Sequence, residues 1–470
     1  MTVLTDAPAL PTVRRPTPLW LAIIAASLPM FMATLDNLVM TNALPSIRLD
    51  LGATVEELQW FVNAFTLTFA SFILMAAALG DRLGRRTVFV IGIVVFTIAS
   101  VFSALSYEPW MLIVSRALQG FGAAAVTPLS LTLLVGSVQD RVRPLAIGVW
   151  GGITGLGVAL GPLVGGAVVE GWNWEAIFWL NVPVGIVAIP LALYALPNTF
   201  GERLRADVVG VVLAGLGVLG LVYGIVSGNE KGWDSTEVVG ALVAGAALIA
   251  AFIVWESRVA APLLPLRLFR DRSFSVANVV GLTFSFGVFG SIFILIQFLQ
   301  VVQSYSPLGA GVATMPWTLA PMVVAPLAGL IAPRVGTRLL IVAGLTLQSF
   351  GVLWLSAVMS ADVAYATMLP AFIAAGIGMG LVFAPISTAV LATMTSADHA
   401  KASGTNSTVR EVGVALGIAV LTAVFVGAGG ELTPDLYVDA ARPAVLVGGL
   451  VLALAAGLAF LLPSGKASKI

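Results

Sequence analysis

The chain has 470 residues, 59% of them hydrophobic and only 10% charged, and its 23 basic residues balance 23 acidic ones. A water-soluble domain carries about 25% charged residues, so this chain lacks the polar surface for several aqueous domains and reads as a bilayer protein. Cysteine is absent, which excludes disulfides, thiolate metal sites and a cysteine nucleophile, and no basic face stands free for nucleic acid.

In chain order, apolar segments of roughly 20 residues, the length that crosses a bilayer as a helix, fall near 19–41, 58–79, 87–106, 110–137, 144–169, 175–196 and 207–226. Seven more follow, near 236–256, 274–303, 308–332, 338–357, 364–392, 404–428 and 441–462. Backbone groups in hydrocarbon must be satisfied within their own segment, so fourteen such runs predict an all-α polytopic membrane protein with fourteen transmembrane helices. Residues 1–18 form a short tail containing Arg14 and Arg15; no small-residue cleavage site follows the first run, which reads as an uncleaved span. With the N-terminus inside, every Lys and Arg falls in a cytoplasmic segment except Arg48, Lys231 and Arg442 outside and Arg116 and Arg410 within spans. That bias predicts both termini in the cytoplasm, including a tail at 463–470.

The first span carries Asp36, about 25 Å from its cytoplasmic end at a rise of 1.5 Å per residue, and the fourth carries Arg116 about 9 Å below the outer face. A charge at mid-helix costs about 2.5–3.5 kcal/mol on insertion scales and tends to be functional. The matching depths suggest either a structural ion pair or an acid that exchanges protons beside a cation that biases the exchange. After the second span comes "ALGDRLGRR" (Ala78–Arg86); after the tenth, "GLIAPRVGTR" (Gly329–Arg338) places Arg334, Gly336 and Arg338 in register with Arg82, Gly84 and Arg86, as a duplicated bundle would. The fifth span reads "GVALGPLVGG", with Gly157, Gly161 and Gly165 on one face, Pro162 within the run and Gly166 closing it. Small residues let helix backbones approach in lipid, so this face meets a neighbouring helix, either as fixed packing or as a moving contact.

The seventh span contains "GLGVLG" (Gly215–Gly220), a formal dinucleotide fingerprint, but with no strand before it and no acidic residue at the right distance it reads as packing. In the ninth span Gln297, Gln300 and Gln303 accompany Phe286, Phe289 and Phe293, which either line a greasy cavity for a flat organic molecule or belong to the core. In the thirteenth, Arg410 and Glu411 are adjacent and so point to different sides; gating, a second proton site at Glu411 and snorkelling to the interface are all open. His399, the single histidine, falls in a cytoplasmic loop, and no Walker-type phosphate loop exists.

Taken together, "GDRLGRR", "LIVSRALQGFGAA" (Leu112–Ala124) and "GVALGPLVGG" resemble the motif set of the major facilitator superfamily. "TLDNLVMTNALP" (Thr34–Pro45), "WNWEAIFWLNVPVG" (Trp172–Gly185) and "QSYSPLGAG" (Gln303–Gly311) resemble its fourteen-span drug:proton antiporter branch. The resemblance covers nearly the whole chain. It implies six-helix bundles at 19–196 and 274–462, two inserted helices at 207–256 and a cytoplasmic linker at 257–273. It also implies that Asp36, Arg116 and Gln119 lie beside a central cavity, that Asp81, Arg82, Gly84, Arg85 and Arg86 form a cytoplasmic gate braced on the thirteenth span near Arg410, and that the glycine motif marks exporters. The chain departs from the branch pattern at Ala77, where a Gly is usual, and at Leu38 and Thr41, with the motif's Asn displaced to Asn42.

The expectation is a monomeric transporter of the cell membrane, not an enzyme, needing no cofactor, nucleotide or metal. It would export hydrophobic and especially cationic organic compounds (drugs, antibiotics or toxic metabolites) in exchange for protons by alternating access. Proton coupling and substrate contact would rest on Asp36, Arg116, Gln119, Gln297, Gln300 and Glu411. Uptake of a small nutrient by proton symport is the other reading, and the direction of flux separates the two.

Overall fold

Each apolar segment becomes helix in the computed structural model, which describes residues 18–139, 141–201, 207–260, 262, 264–394 and 398–463. Apart from Pro18 and Pro463, the expected tails lie outside the described residues, as do Arg203 and Arg205.

The first six spans are α1 (Leu19–Leu51), α2 (Val55–Leu83), α3 (Arg85–Ala104), α4 (Pro109–Ser137), α5 (Arg143–Gly171) and a broken sixth, α6 (Ala176–Trp179) followed by α7 (Asn181–Ala195). Two further helices come next, α8 (Val208–Lys231) and α9 (Thr236–Glu256). The last six are α10 (Arg272–Gln297), α11 (Pro307–Val335), α12 (Thr337–Val358), α13 (Tyr365–Leu391), α14 (His399–Gly427) and α15 (Pro434–Ala459). Among the described residues, twelve spans are long and apolar enough to cross a membrane as they stand, and fourteen with the bent helices α2 and α5 counted as one span each. The bend in α5, 43° between Gly157 and Leu160, sits one turn before Pro162, whose ring removes a rung of the helix ladder. His399 opens α14 rather than lying in the preceding loop, because Asp398 already accepts the helical bond from the Ala402 amide.

The same pairings occur twice. In the first half α1 packs on α5 and α7, α2 and α3 on α4, and α3 on α7; in the second α10 packs on α14 and α15, α11 and α12 on α13, and α12 on α15. The short loops aligned in the sequence also share a conformation: Gly84 and Gly336 have φ of +105° and +89°, which side chains with a Cβ rarely adopt. The halves meet along α5–α11 and α2–α14, and α8 lies over the second seam, touching both α2 and α14, with α9 packed on its outside.

One end of the bundle carries Arg82, Arg85, Arg86, Arg334 and Arg338 and is called the basic end below. At the opposite end the halves are in close contact, and a single apolar cluster runs from Val39, Met40 and Ala43 of α1 into Ala310 and Trp317 of α11. A Cβ on Gly166 would stand 2.3 Å from the Pro307 carbonyl oxygen, and one on Gly311 2.3 Å from that of Pro162. Toward the basic end the same helices have no such contact: a Cβ on Gly151, Gly152 or Gly155 of α5, or on Gly329 of α11, would meet nothing within 4 Å. The cleft between the halves is therefore shut at the opposite end and open at the basic end.

Candidate functional site

The deepest charges come together. Arg116 of α4 and Asp36 of α1 form an ion pair with essentially no exposure to solvent, the guanidinium Nη1 donating to the carboxylate Oδ2. The other oxygen, Oδ1, accepts from Asn181 Nδ2 at 2.7 Å and Gln119 Nε2 at 3.2 Å. Arg116 Nε donates to the Phe61 carbonyl at 3.0 Å, and its Nη1 also reaches Gln119 Oε1 at 2.8 Å. The guanidinium carbon lies 4.5 Å from the centre of the Phe65 ring and 6.0 Å from that of Phe178, a cation–π arrangement strengthened by the exclusion of water. Ser100, on α3, accepts from both Gln119 and Asn181 at 2.8 and 3.2 Å, which ties α1, α3, α4 and α7 into one network. Four helices can converge so closely because Gly120 and Gly122 of α4 sit on the backbones of α2 and α3.

The pair is inside the first half, not on an open cavity wall, and the Asp36 carboxylate holds three donors. It offers no free charge to a cationic molecule in this conformation. Exchange of its proton requires Arg116, Gln119 or Asn181 to let go.

A second polar cluster closes the opposite end. Asn42 Nδ2 donates to the Pro162 carbonyl of α5 and to the Pro307 carbonyl of α11, both at 2.8 Å, one in each half. Gln300, in the π-helical turn Phe298–Val302 that follows α10, returns two bonds to Asn42, to its Oδ1 at 2.8 Å and its main-chain oxygen at 2.9 Å. Glu170 of α5 accepts from the Leu308 amide at 3.1 Å, and Arg48 donates to the Leu432 carbonyl at 3.2 Å. The α5 glycines make this possible: Gly161 and Gly165 seat on Leu38 and Val39 of α1, and Gly166 on the start of α11. Beneath this Asn42 latch lies a small cavity of about 20 Å³ lined by Leu38, Thr41, Ile292, Thr314, Trp317 and Phe372, apolar but for its threonines. Gln297 stays with its own helix, bonding the Phe293 carbonyl at 3.0 Å.

At the basic end Asp81 pairs with Arg85 at 2.7 Å, and its main-chain oxygen accepts from the Gly201 amide at 3.0 Å. Arg86 caps the end of α7 through the Leu193 and Leu196 carbonyls at 2.9 and 3.1 Å, while Arg82 is exposed. Gly84 lies against Asn198, so this loop is packed on the first half. Arg410 is elsewhere, its guanidinium 4.7 Å from the centre of the Phe383 ring of α13. Glu411 precedes Ala415 by one turn on the same face, and Ala415 clusters with Leu67 of α2 and Val222 of α8; the two neighbours in sequence do face different sides.

The structure thus joins Asp36, Arg116 and Gln119, separates Gln300 from them to the latch, and leaves Arg410 and Glu411 apart from the Asp81 loop. Nothing in the sequence marks Asn181 or Asn42 as a site residue. Both lie in motifs that the sequence displays, Asn181 in the helix-breaking "FWLNVP", but an uncharged amide gives no sign of a partner 145 residues away.

Residues 19–418 match a family model described as Major Facilitator Superfamily. The multidrug resistance protein Stp of Mycobacterium tuberculosis is 34% identical over 92% of this chain and 83% of its own length. The tetracenomycin C resistance and export protein of Streptomyces glaucescens is 32% identical over 91% and 79%, and the cephamycin export protein CmcT of Amycolatopsis lactamdurans 36% identical over 86% and 84%. Among solved structures, a mutant of the nucleoside transporter NupG superposes with a TM-score of 0.67 at 11% identity, covering 94% of this chain and 99% of that one. A bacterial homolog of the human lysosomal transporter Spinster gives 0.64 at 17% identity, covering 94% and 96%.

Proposed function

The chain belongs to the major facilitator superfamily and is a multi-pass membrane transporter, and from that premise we propose that it exports hydrophobic organic compounds of the antibiotic or drug type in exchange for protons. The observation that carries the proposal is the buried Asp36–Arg116 pair: an intramembrane acid is costly and marks an ion pathway, and this one on α1 is held by partners from α4 and α7. Its relatives named for resistance and export support the direction of transport.

In this reading the bundles at 19–196 and 274–462 rock against one another, the helices at 207–256 are an insertion and the segment 257–273 is the linker. The basic end faces the cytoplasm by the positive-inside rule, and the open cleft makes this the inward-facing state. Substrate enters from the cytoplasm, the Asn42 latch releases, and proton binding at Asp36 loosens Arg116, Gln119 and Asn181 so that helices α1, α4 and α7 shift. Glu411 is the second candidate for a proton. The loop from Asp81 to Arg86 closes the basic end in the other state, when Asp81 turns from Arg85 toward α14. The transporter works as a single chain in the plasma membrane.

The test is flux in inside-out vesicles that carry the protein and an imposed proton gradient. Accumulation of a hydrophobic dye that collapses when the gradient is discharged is expected. Dye movement in the reverse direction, out of the vesicles with protons, establishes uptake by symport instead.

A further inference from the structure

The second half holds a cation, Arg410, that makes no close ion pair among the described residues, although Glu411 is next to it in sequence. Arg410 is half-buried on α14, and Glu411 faces α2 and α8. The Nε–H is buried without a hydrogen-bond acceptor. Desolvating a guanidinium without a carboxylate is unfavourable, so a sequence that keeps one there needs a compensating interaction.

The surroundings supply part of it and leave the rest open. Phe383 lies under the guanidinium at 4.7 Å and is itself held edge-on by Phe284 of α10 at 5.6 Å. Gly281 of α10 clears the space: a Cβ there would stand 3.3 Å from both Arg410 Cγ and Asn406 Nδ2. Asn406, one turn before Arg410, donates to Asn278 Oδ1 at 3.2 Å, which fixes its amide beside the arginine. The site is reachable, since Ser407 to Glu411 are all partly exposed and Ser387, one turn beyond Phe383, is exposed. The acids Asp36 and Asp81 of the first half are already committed, to Arg116 and Arg85.

We propose that Arg410, stacked on Phe383 and flanked by Asn406, is the subsite that receives an anionic group, a carboxylate or acidic phenol carried on an aromatic ring, of the transported compound. Guanidinium matches a carboxylate through paired N–H donors, and Phe383 continues as a stacking surface for the ring. The inference rests on the export reading and assigns its substrate class: acidic aromatic compounds, in place of the cationic ones that the Asp36 carboxylate suggested from sequence.

The test uses the full chain purified in detergent and two probes of one shape, 2-naphthoate and its neutral isostere 2-naphthamide. Ser407 is three residues from Arg410 on the same helical face, and the chain has no natural cysteine, so Ser407→Cys is labelled with a maleimide and protection by each probe is measured. Naphthoate is expected to protect at about tenfold lower concentration than naphthamide, as a charge-assisted hydrogen bond gives, and Arg410→Gln in the same chain is expected to erase the difference. Equal protection by the two probes, protection by neither, or a preference that survives Arg410→Gln overturns the assignment. The first two outcomes are read on the native arginine, so the inference stays exposed even if the Gln variant does not fold. Flux plays no part in this measurement: a protein that binds naphthoate but moves nothing fails the export reading and keeps the subsite, and one that exports while ignoring charge does the reverse.

Discussion

Adding one methyl group at the α5–α11 seam is expected to pry open the closed end. In Gly166→Ala the new Cβ stands 2.3 Å from the Pro307 carbonyl oxygen, and in Gly311→Ala 2.3 Å from that of Pro162, where ordinary contact begins at 3.4 Å. The clashing atoms are backbone, so the seam must widen by about 1 Å, since no side chain can swing away. Overpacking of this kind costs about 1–3 kcal/mol, and it is felt only in the conformation where these helices touch. A bias of that size shifts the two-state balance by about 5- to 150-fold toward the form open at this end. The double variant exceeds either single one without summing them, because both strain one seam. Because the chain has no cysteine, Thr41→Cys in the cavity beneath the latch serves as a background-free reporter. Its labelling by an impermeant maleimide outside right-side-out vesicles is expected to accelerate by that factor in either alanine variant. Gly151→Ala and Gly155→Ala, which meet nothing within 4 Å, serve as controls and are expected to leave the rate unchanged. Unaltered labelling in a well-folded Gly166→Ala/Gly311→Ala protein would refute the reasoning and leave the glycines as static packing.

Asp36→Asn removes one member of a buried pair and is expected to lower stability by about 3–5 kcal/mol and to abolish gradient-driven flux; thermal unfolding and vesicle transport measure the two. Adding Arg116→Gln is expected to restore part of the stability and none of the coupling, and persistent coupling in Asp36→Asn would transfer the proton role to Glu411. Asn42→Ala removes the amide that bridges the Pro162 and Pro307 carbonyls and one of the two bonds from Gln300, at about 1–3 kcal/mol for a buried group left unsatisfied. It is expected to raise Thr41→Cys labelling as the seam variants do; a wild-type rate counts against the latch. Asp81→Asn combined with Arg85→Ala is expected to insert normally and slow transport by unbalancing closure of the basic end, and native rates from a monodisperse double variant would dismiss the gate.

The fold was legible because bilayer thickness writes itself into the length of each apolar run, and the depth of Asp36 and Arg116 could be compared by rise per residue alone. Their partners were not legible. Asn181 reaches Asp36 only because the sixth span breaks between α6 and α7, and that break lies in a run whose hydropathy gives no warning. Asn42 is more instructive: the residue that departs from the family spacing by one place is the one that bridges the halves. A shift of one position turns a side chain by about 100° around a helix axis, so the displaced amide points at the seam and the gain could be seen only with α11 in place. Arg410 and Glu411 were separable into different faces from their adjacency, but which face met Phe383 depended on the packing of α10 and α13.

The two inserted helices make the two seams unequal. α8 touches α2 through Leu67 and α14 through Ala415 and Ala419, and its Asn229 donates to the Ala423 carbonyl at 2.5 Å while Ser227 donates to Glu56 at 2.9 Å. A body fastened to both halves keeps its grip through a rotation only if the axis runs close to it. The α2–α14 side then behaves as the spine of a book, and the α5–α11 side, fastened only at one end by Asn42 and Gly166, as its fore-edge. In the proposed cycle the widest excursion, and with it the mouth for a bulky substrate, belongs to the side facing away from the insertion.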